Sequence, residues 1–330
     1  MKQLSRARRV GLTAIACALL LRLWSEGYGE KLIDLVTGPD AAAFFIYLET
    51  GRDVRFSPSL PAFSPDFMES PPAATLPETE PTLPVFSDAD GLELYYASTE
   101  NPDIPALLSQ PLHWNLRGEE PTVLIIHTHT TESYTRVDEQ YKETAAWRTT
   151  DDSYNMVSIG EIVRQILAEN GIPVIHDREL HDYPSYNGSY TRTRKAIMDY
   201  VNLYPSIQLI LDLHRDAAGD GKNQMRTSAT VDGEPSAQLM LVMGTNYDTY
   251  PENLSLALKV HAQLEAQCPG ITRPLQLRAA RFNQDLCPGS LLVEVGAAGN
   301  THPEAHRAAQ QLAKAIVALA EGTADGESGE

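Results

Sequence analysis

The sequence predicts an α/β fold, a mostly parallel sheet sandwiched by helices. Three observations predict it. Short apolar or β-branched runs recur at 122–126, 173–176, 208–213, 237–243 and 291–295. Stretches with helical spacing separate or follow them, at 155–170, 190–204, 252–268 and 303–321, and that alternation is the pattern of βαβ units. Polar residues cluster where the runs end, and sheets of this kind collect their chemistry beyond the carboxyl ends of strands.

Taken in order, TVLII at 122–126 reads as a buried strand that ends on His127. Met156, Ile159, Val163, Ile166 and Leu167 then fall on one helical face, and Asn170-Gly171 stops the helix. A short strand at 173–176, a helix at 190–204 and a strong strand at 208–213 follow. The strand at 237–243 leads to a helix stopped by Pro269-Gly270, then to the strand at 291–295 and a closing helix.

The N-terminal third has a different texture. Lys2, Arg6, Arg8 and Arg9 precede a charge-free run from Val10 to Leu21. A basic head before a short apolar run is the plan of a signal sequence. No small-residue cleavage site follows, so residues 1–25 are expected to be an uncleaved, single-pass signal anchor. The positive-inside bias then puts the rest of the chain outside the cytoplasm. Residues 26–56 read as an amphipathic juxtamembrane segment, on the membrane or on the protein itself. Residues 57–88, with eight prolines between Pro58 and Pro84, read as a linker unable to bury a core. Residues 89–322 are expected to form the functional domain, and 323–330 a disordered tail.

Net charge is −18 over 330 residues, which excludes a nucleic-acid binder needing a basic face. Three cysteines are too few for a disulfide framework. Cys17 lies in the apolar run, and Cys268 and Cys287 either pair or stay as thiols. No C-x-x-C spacing exists, so a bound metal would need His and carboxylate ligands.

Three clusters supply such groups. HTHTTESY at 127–134 leaves the first strand, DLHRD at 212–216 leaves the third, and Glu294 interrupts an apolar run. Each has a bland reading: a surface histidine, or a core acid paired with an arginine such as Arg281. Together they fit a zinc site with an open position for water and a separate Glu that moves the proton.

These motifs also carry a resemblance. HTHTTESY at 127–134, HDYPSYNGSY at 181–190, DLHRD at 212–216, RFNQDL at 281–286 and EVG at 294–296 resemble the stage II sporulation protein P family, over roughly 89–322. The resemblance implies an amidase-like α/β sandwich and a Zn2+-dependent N-acetylmuramoyl-L-alanine amidase, with endopeptidase activity as well. It implies action on peptidoglycan during engulfment in endospore formation, beside a stage II sporulation protein D-like lytic enzyme. Carried over, His127 and His214 are metal ligands and Glu294 is the catalytic acid. The third ligand is Glu132, with His129 and Asp152 as alternatives. Arg215 is a candidate oxyanion donor, and Tyr186, Asn187, Arg281 and Asn283 are candidate substrate contacts. Two other readings stand beside this one: a non-catalytic, anchored peptidoglycan-binding module, and a zinc peptidase that cuts only cross-links.

Overall fold

The computed structural model describes residues 86–87, 93–97, 100–137, 141–218 and 223–327. The expected anchor, the juxtamembrane segment and nearly all of the linker lie outside the described residues.

In chain order the strands are β1 (Phe86–Ser87), β2 (Glu93–Ala97), β3 (Val123–Ile126), β4 (Val174–His176), β5 (Leu209–Asp216), β6 (Ala229–Val231), β7 (Glu234–Ser236), β8 (Leu239–Gly244), β9 (Leu275–Arg278) and β10 (Ser290–Ala297). The helices are α1 (Ile104–Ser109), α2 (Met156–Glu169), α3 (Ser189–Leu203), α4 (Tyr250–Gln267) and α5 (His302–Glu327). Eight strands form one sheet in the order β1-β2-β9-β8-β10-β5-β3-β4, and β6 and β7 form a separate hairpin. Only β1–β2 and β8–β10 pair antiparallel in that sheet; the other neighbours are parallel. The expected fold class is the observed one.

Strand alternation decides which face each side chain meets. Val123 and Ile125 of β3 and Leu209, Leu211 and Leu213 of β5 point into the main core. That core also holds Met156, Ile159 and Val163 of α2, Leu254 and Leu258 of α4, and Ala308, Leu312 and Ile316 of α5. Leu124, Ile126 and Ile210 point to the opposite face, where Ile197 of α3 covers them. Helices on both faces are what an α/β sheet with parallel strands requires.

Local signals explain where α2 begins and ends. The Asn155 side chain accepts from Val157 N at the first turn, and Gly171 takes φ 74° just past the Asn170 cap. The chain runs from β3 through α2 to β4 on one side, then through α3 to β5 on the other. Strand order therefore reverses between β3 and β5, the place where open α/β sheets form a crevice.

Several elements differ from expectation. β1, β2, α1, β9 and the β6–β7 hairpin went unpredicted, because each is short and its apolar residues do not repeat over a full window. Phe86–Ser87 is paired into the sheet although it lies within the stretch read as linker, and α5 extends to Glu327, into the stretch read as a tail. β5 continues to Asp216, so His214 and Arg215 lie within the strand rather than past it; pairing with β10 holds them there. Cys268 and Cys287 are free thiols.

His127 follows the inward parity of β3 and is fully buried against α2. Its Nδ1 donates to the Leu213 carbonyl at 3.1 Å, and its Nε2 lies 2.9 Å from His176 Nε2. Gly160 of α2 makes room for this pair: a Cβ there would stand 2.5 Å from His176 Nε2 and 2.6 Å from His127 Nε2. Gly160→Ala should therefore destabilise the domain by about 1–3 kcal/mol, as overpacking does, in spite of its better helix propensity. A denaturant midpoint at or above wild type would contradict this packing.

Acid should weaken a second contact. His302 Nε2 lies 2.7 Å from Ser158 Oγ, and the His302 ring is 4.2 Å from that of His306. Burial first, then His306, pushes the His302 pKa down to about 4. The unfolded chain, near 6.5, takes the proton more readily, so this contribution is present above pH 6.5 and lost as pH falls toward 4. With partial solvent screening the loss should be about 2 kcal/mol. Urea unfolding of wild type and His302→Gln at pH 7 and pH 4.5 reads it: the stability gap should narrow at the lower pH, and a constant gap would exclude the effect.

Candidate active site

The crevice between β3 and β5 is lined by the loop that follows β3. That loop turns sharply after Ile126, and Glu132 N donates to the His129 carbonyl at 3.0 Å to close the turn. The turn re-aims His129, so the two histidines of HTHTTESY point to different places. His127 stays under the sheet with both ring nitrogens engaged. The His129 ring lies 5.2 Å from the His214 ring, nearly perpendicular to it. His127 lies against His176 and the Leu213 carbonyl, whereas the His129 ring stands beside that of His214. Burial first lowers the pKa of His127 to about 3, and likewise that of His129.

Glu132 sits beside the same ring. Its Oε2 lies 3.6 Å from His214 Nδ1 and accepts from Arg215 N at 3.2 Å. Its Oε1 lies 3.2 Å from Arg148 Nη2 and 3.7 Å from Arg215 Nη1. Burial alone would raise its pKa, but Arg215 foremost, with His214, His129 and Arg148, holds it well below the usual carboxylate range. Glu132 is therefore a carboxylate although it is only 4% exposed.

β10 supplies the fourth group. Glu294 is the register partner of His214 across the parallel β10–β5 pair, and of Met240 across β8. Its Oε2 is buried and has no hydrogen-bond partner among the described residues. Burial first pushes its pKa up to about 8; the His214 charge opposes the rise and Asp216 adds to it. His214 Nε2 likewise makes no hydrogen bond among the described residues, although Asp212 Oδ1 lies 2.9 Å away. Asp212 and Glu132 outweigh burial and keep the His214 pKa well above 6.5 in this arrangement.

The other expected site residues divide. Arg215 is buried, and its guanidinium donates to the Ser133 and Trp147 carbonyls at 3.0 and 3.1 Å. Asp152 is exposed and pairs with Arg178 at 3.3 Å rather than joining the histidines. Tyr186 stacks on His129 at 4.5 Å, with its hydroxyl 3.1 Å from Nε2, and Ser189 Oγ is 3.4 Å from Nδ1. Asn187 is exposed, and its backbone carbonyl accepts from Arg192. Asn283 donates to the Tyr190 carbonyl at 2.9 Å, and the Tyr190 ring lies 5.5 Å from that of His129. Arg281 faces Asp285 at 4.0 Å, with its side chain 56% exposed.

Three residues that build the site were given no individual role from the sequence, although Asp182 and Asp212 lie within the quoted motifs. Arg148 joins Glu132 to Asp182, at 2.5 Å from Asp182 Oδ2, and its guanidinium lies 4.7 Å from the Tyr186 ring centre. Asp182 accepts from Thr131 N and Oγ1 at 3.0 and 2.6 Å. Asp212 accepts from Thr128 N and Oγ1 at 2.8 and 2.6 Å. Asp212 had a readable signal, since it lies two residues before His214 on the same strand face. Arg148 sits in an aperiodic loop outside the quoted motifs and carried none.

Comparison with known proteins follows the same lines. Residues 78–317 match the family described as Stage II sporulation protein P (SpoIIP). The Stage II sporulation protein P of Bacillus subtilis (strain 168) is 28% identical over 207 residues, which cover 59% of this chain and 50% of that protein. The chain thus spans about half the length of the curated relative it matches. Among solved structures, N-acetylmuramyl-L-alanine amidase Ami1 from Mycobacterium smegmatis aligns with TM-score 0.40 at 14% identity, over 63% of this chain and 100% of that one. N-acetylmuramoyl-L-alanine amidase AmiC2 of Nostoc punctiforme aligns with TM-score 0.37 at 17% identity, over 63% and 99%. The family match covers most of the chain and contains all the clustered residues: the chain belongs to the stage II sporulation protein P family.

Proposed function

We propose that the chain is a zinc-dependent peptidoglycan hydrolase that cleaves the amide between N-acetylmuramic acid and L-alanine, and acts in endospore formation. The observation that carries this reading is the meeting of His129, Glu132 and His214 beside Glu294. Two imidazoles and one carboxylate are a donor set suited to catalytic zinc. The buried Oε2 of Glu294, without a hydrogen-bond partner among the described residues, is an atom that such a centre and its substrate would satisfy. In this assignment His129 takes the place first given to His127, and its ring nitrogens are held at present by the hydroxyls of Tyr186 and Ser189.

When bound, zinc supplies Lewis-acid polarisation and a water acidic enough to attack at neutral pH. The chain supplies the rest. A cation held beside Glu294 would offset the burial that raises its pKa to about 8, and the carboxylate would then take the proton of the attacking water and deliver it to the departing amine. Arg215 and Arg148 hold the Glu132 carboxylate in its ionised form and fixed orientation, so Arg215 acts as a positioning residue and not as an oxyanion donor. Tyr186 and Tyr190 flank His129 and give the cleft aromatic walls against which a sugar or stem peptide can pack.

The basic head and charge-free run at residues 2–21 support a cell-membrane location with this domain outside the cytoplasm. Among the described residues no helix is long and apolar enough to cross a membrane. Work beside a stage II sporulation protein D-like lytic enzyme belongs to the same proposal. Against a purely binding role, a module that only grips peptidoglycan has no use for a costly unpaired carboxylate such as Glu294.

The test uses the purified full chain on sacculi. Stem peptides should be released with a free lactyl group on muramic acid, and a chelator should stop the release; opened cross-links alone would instead indicate a peptidase. Glu294→Gln should lower the rate by roughly 10²-fold or more while zinc stays bound. His129→Ala should lose activity and the zinc held at this site, whereas His127→Asn should retain that zinc in whatever fraction remains folded. Zinc and activity surviving in His129→Ala, or full activity in Glu294→Gln, would overturn the assignment.

A further inference from the structure

A second group of ligating side chains lies just past β4 and shares no residue with the site above. Asp177, Glu179 and His181 each offer a ligand atom, and the three atoms lie within 4.8 Å of one another. Asp177 Oδ2 stands 3.3 Å from His181 Nε2, while Asp177 Oδ1 accepts from Glu179 N at 2.7 Å. Glu179 is exposed, whereas Asp177 and His181 are buried. His181 is 1% exposed, and its Nδ1 has no hydrogen-bond partner among the described residues. The nitrogen that faces the carboxylates is Nε2, so an ion there would take Nε2 and leave Nδ1 to a water.

The frame that presents these atoms is fixed independently of them. Asp177 N donates to the Ile125 carbonyl at 2.9 Å, extending the pairing of β3 with β4 by one residue. Arg192 Nε donates to the His181 carbonyl at 2.6 Å. Thr130 Oγ1 accepts from His181 N at 3.2 Å and lies 2.7 Å from the Glu179 carbonyl oxygen. Little chain ordering would be needed on binding, which is what gives a compact site its affinity.

We propose that Asp177, Glu179 and His181 form a second divalent-cation site, for a transition ion such as Zn2+ or Mn2+. One nitrogen and two carboxylate oxygens disfavour Mg2+ and Ca2+, which take all-oxygen surroundings and, for Ca2+, more ligands. The exposed Glu179 side leaves the remaining positions to water and lets the ion exchange. Through Thr130, the ion braces the loop that carries His129 and Glu132. Its role is therefore to stiffen the catalytic loop.

Metal-stripped full-length chain titrated with Zn2+ against a chromophoric chelator should show two equivalents, and titration with Mn2+, read by loss of the free-ion EPR signal, reports on the same sites. Glu179→Gln changes an exposed side chain and threatens folding least. It should weaken one equivalent at least tenfold and leave the other unchanged. His214→Ala should remove the complementary equivalent, and the ion still bound should raise the thermal midpoint of that variant. One equivalent, lost in His214→Ala and untouched by Glu179→Gln, overturns this inference and leaves the proposed function standing. The reverse pattern, with the ion lost only in Glu179→Gln, supports this site and overturns the zinc assignment at His129, Glu132 and His214.

Discussion

The buried carboxylate of Glu132 is the point on which the site hangs. An ionised acid out of contact with water is costly unless paired and hydrogen-bonded. Here the Arg148 and Arg215 guanidiniums, the Arg215 amide and the His214 ring surround it. Arg215 and His214 lie on β5, Arg148 lies in the loop before α2, and Glu132 lies in the loop after β3. The charge can be satisfied only when these three segments are in register. Replacing either arginine by a neutral residue would leave part of that charge uncompensated, a loss of several kcal/mol for a buried pair. The electrostatics of the site and the folding of its loops are thus one problem.

The two sides of the crevice differ in stiffness. β5 and β10 run parallel through the centre of the sheet, and their register alone sets His214 opposite Glu294. No loop intervenes, so the spacing of those two groups is a property of the sheet. The loop after β3 has no such lattice. It is fixed instead by charged groups outside it: the carboxylates of Asp212 on Thr128 and Asp182 on Thr131, and the Arg148 guanidinium on Glu132. Each acidic side chain accepts from the loop's backbone or hydroxyl groups, replacing the hydrogen bonds that a strand would have made.

This division explains how much was legible in the sequence. The strands that carry His214 and Glu294 announce themselves as apolar runs, and a charged residue inside such a run is conspicuous. Both positions could be singled out without coordinates. The choice between His127 and His129 could not be read the same way. On an extended chain the two point alike, and only a turn separates them. Whether the chain turns after Ile126 depends on Thr130 and Thr131 meeting His181 and Asp182, about fifty residues on. No local pattern encodes that meeting. Arg148 is invisible for the same reason, since it works across loops with no period.

Parity supplies the remaining constraint on the histidines. His127 inherits the inward direction of Val123 and Ile125, and the Leu213 carbonyl takes its Nδ1 proton. That bond fixes the tautomer: a neutral His127 must then accept at Nε2, from the His176 Nε2 proton. A cation at Nε2 would have to break the His127–His176 contact. His129 is different in kind, because both of its neighbours are hydroxyls, which donate or accept as required and can give way. A ring held by a carbonyl and another imidazole is tied to two fixed partners; one held by two hydroxyls keeps the freedom to change them. Residues of the same type, two positions apart, are separated by what their hydrogen-bond partners can chemically do.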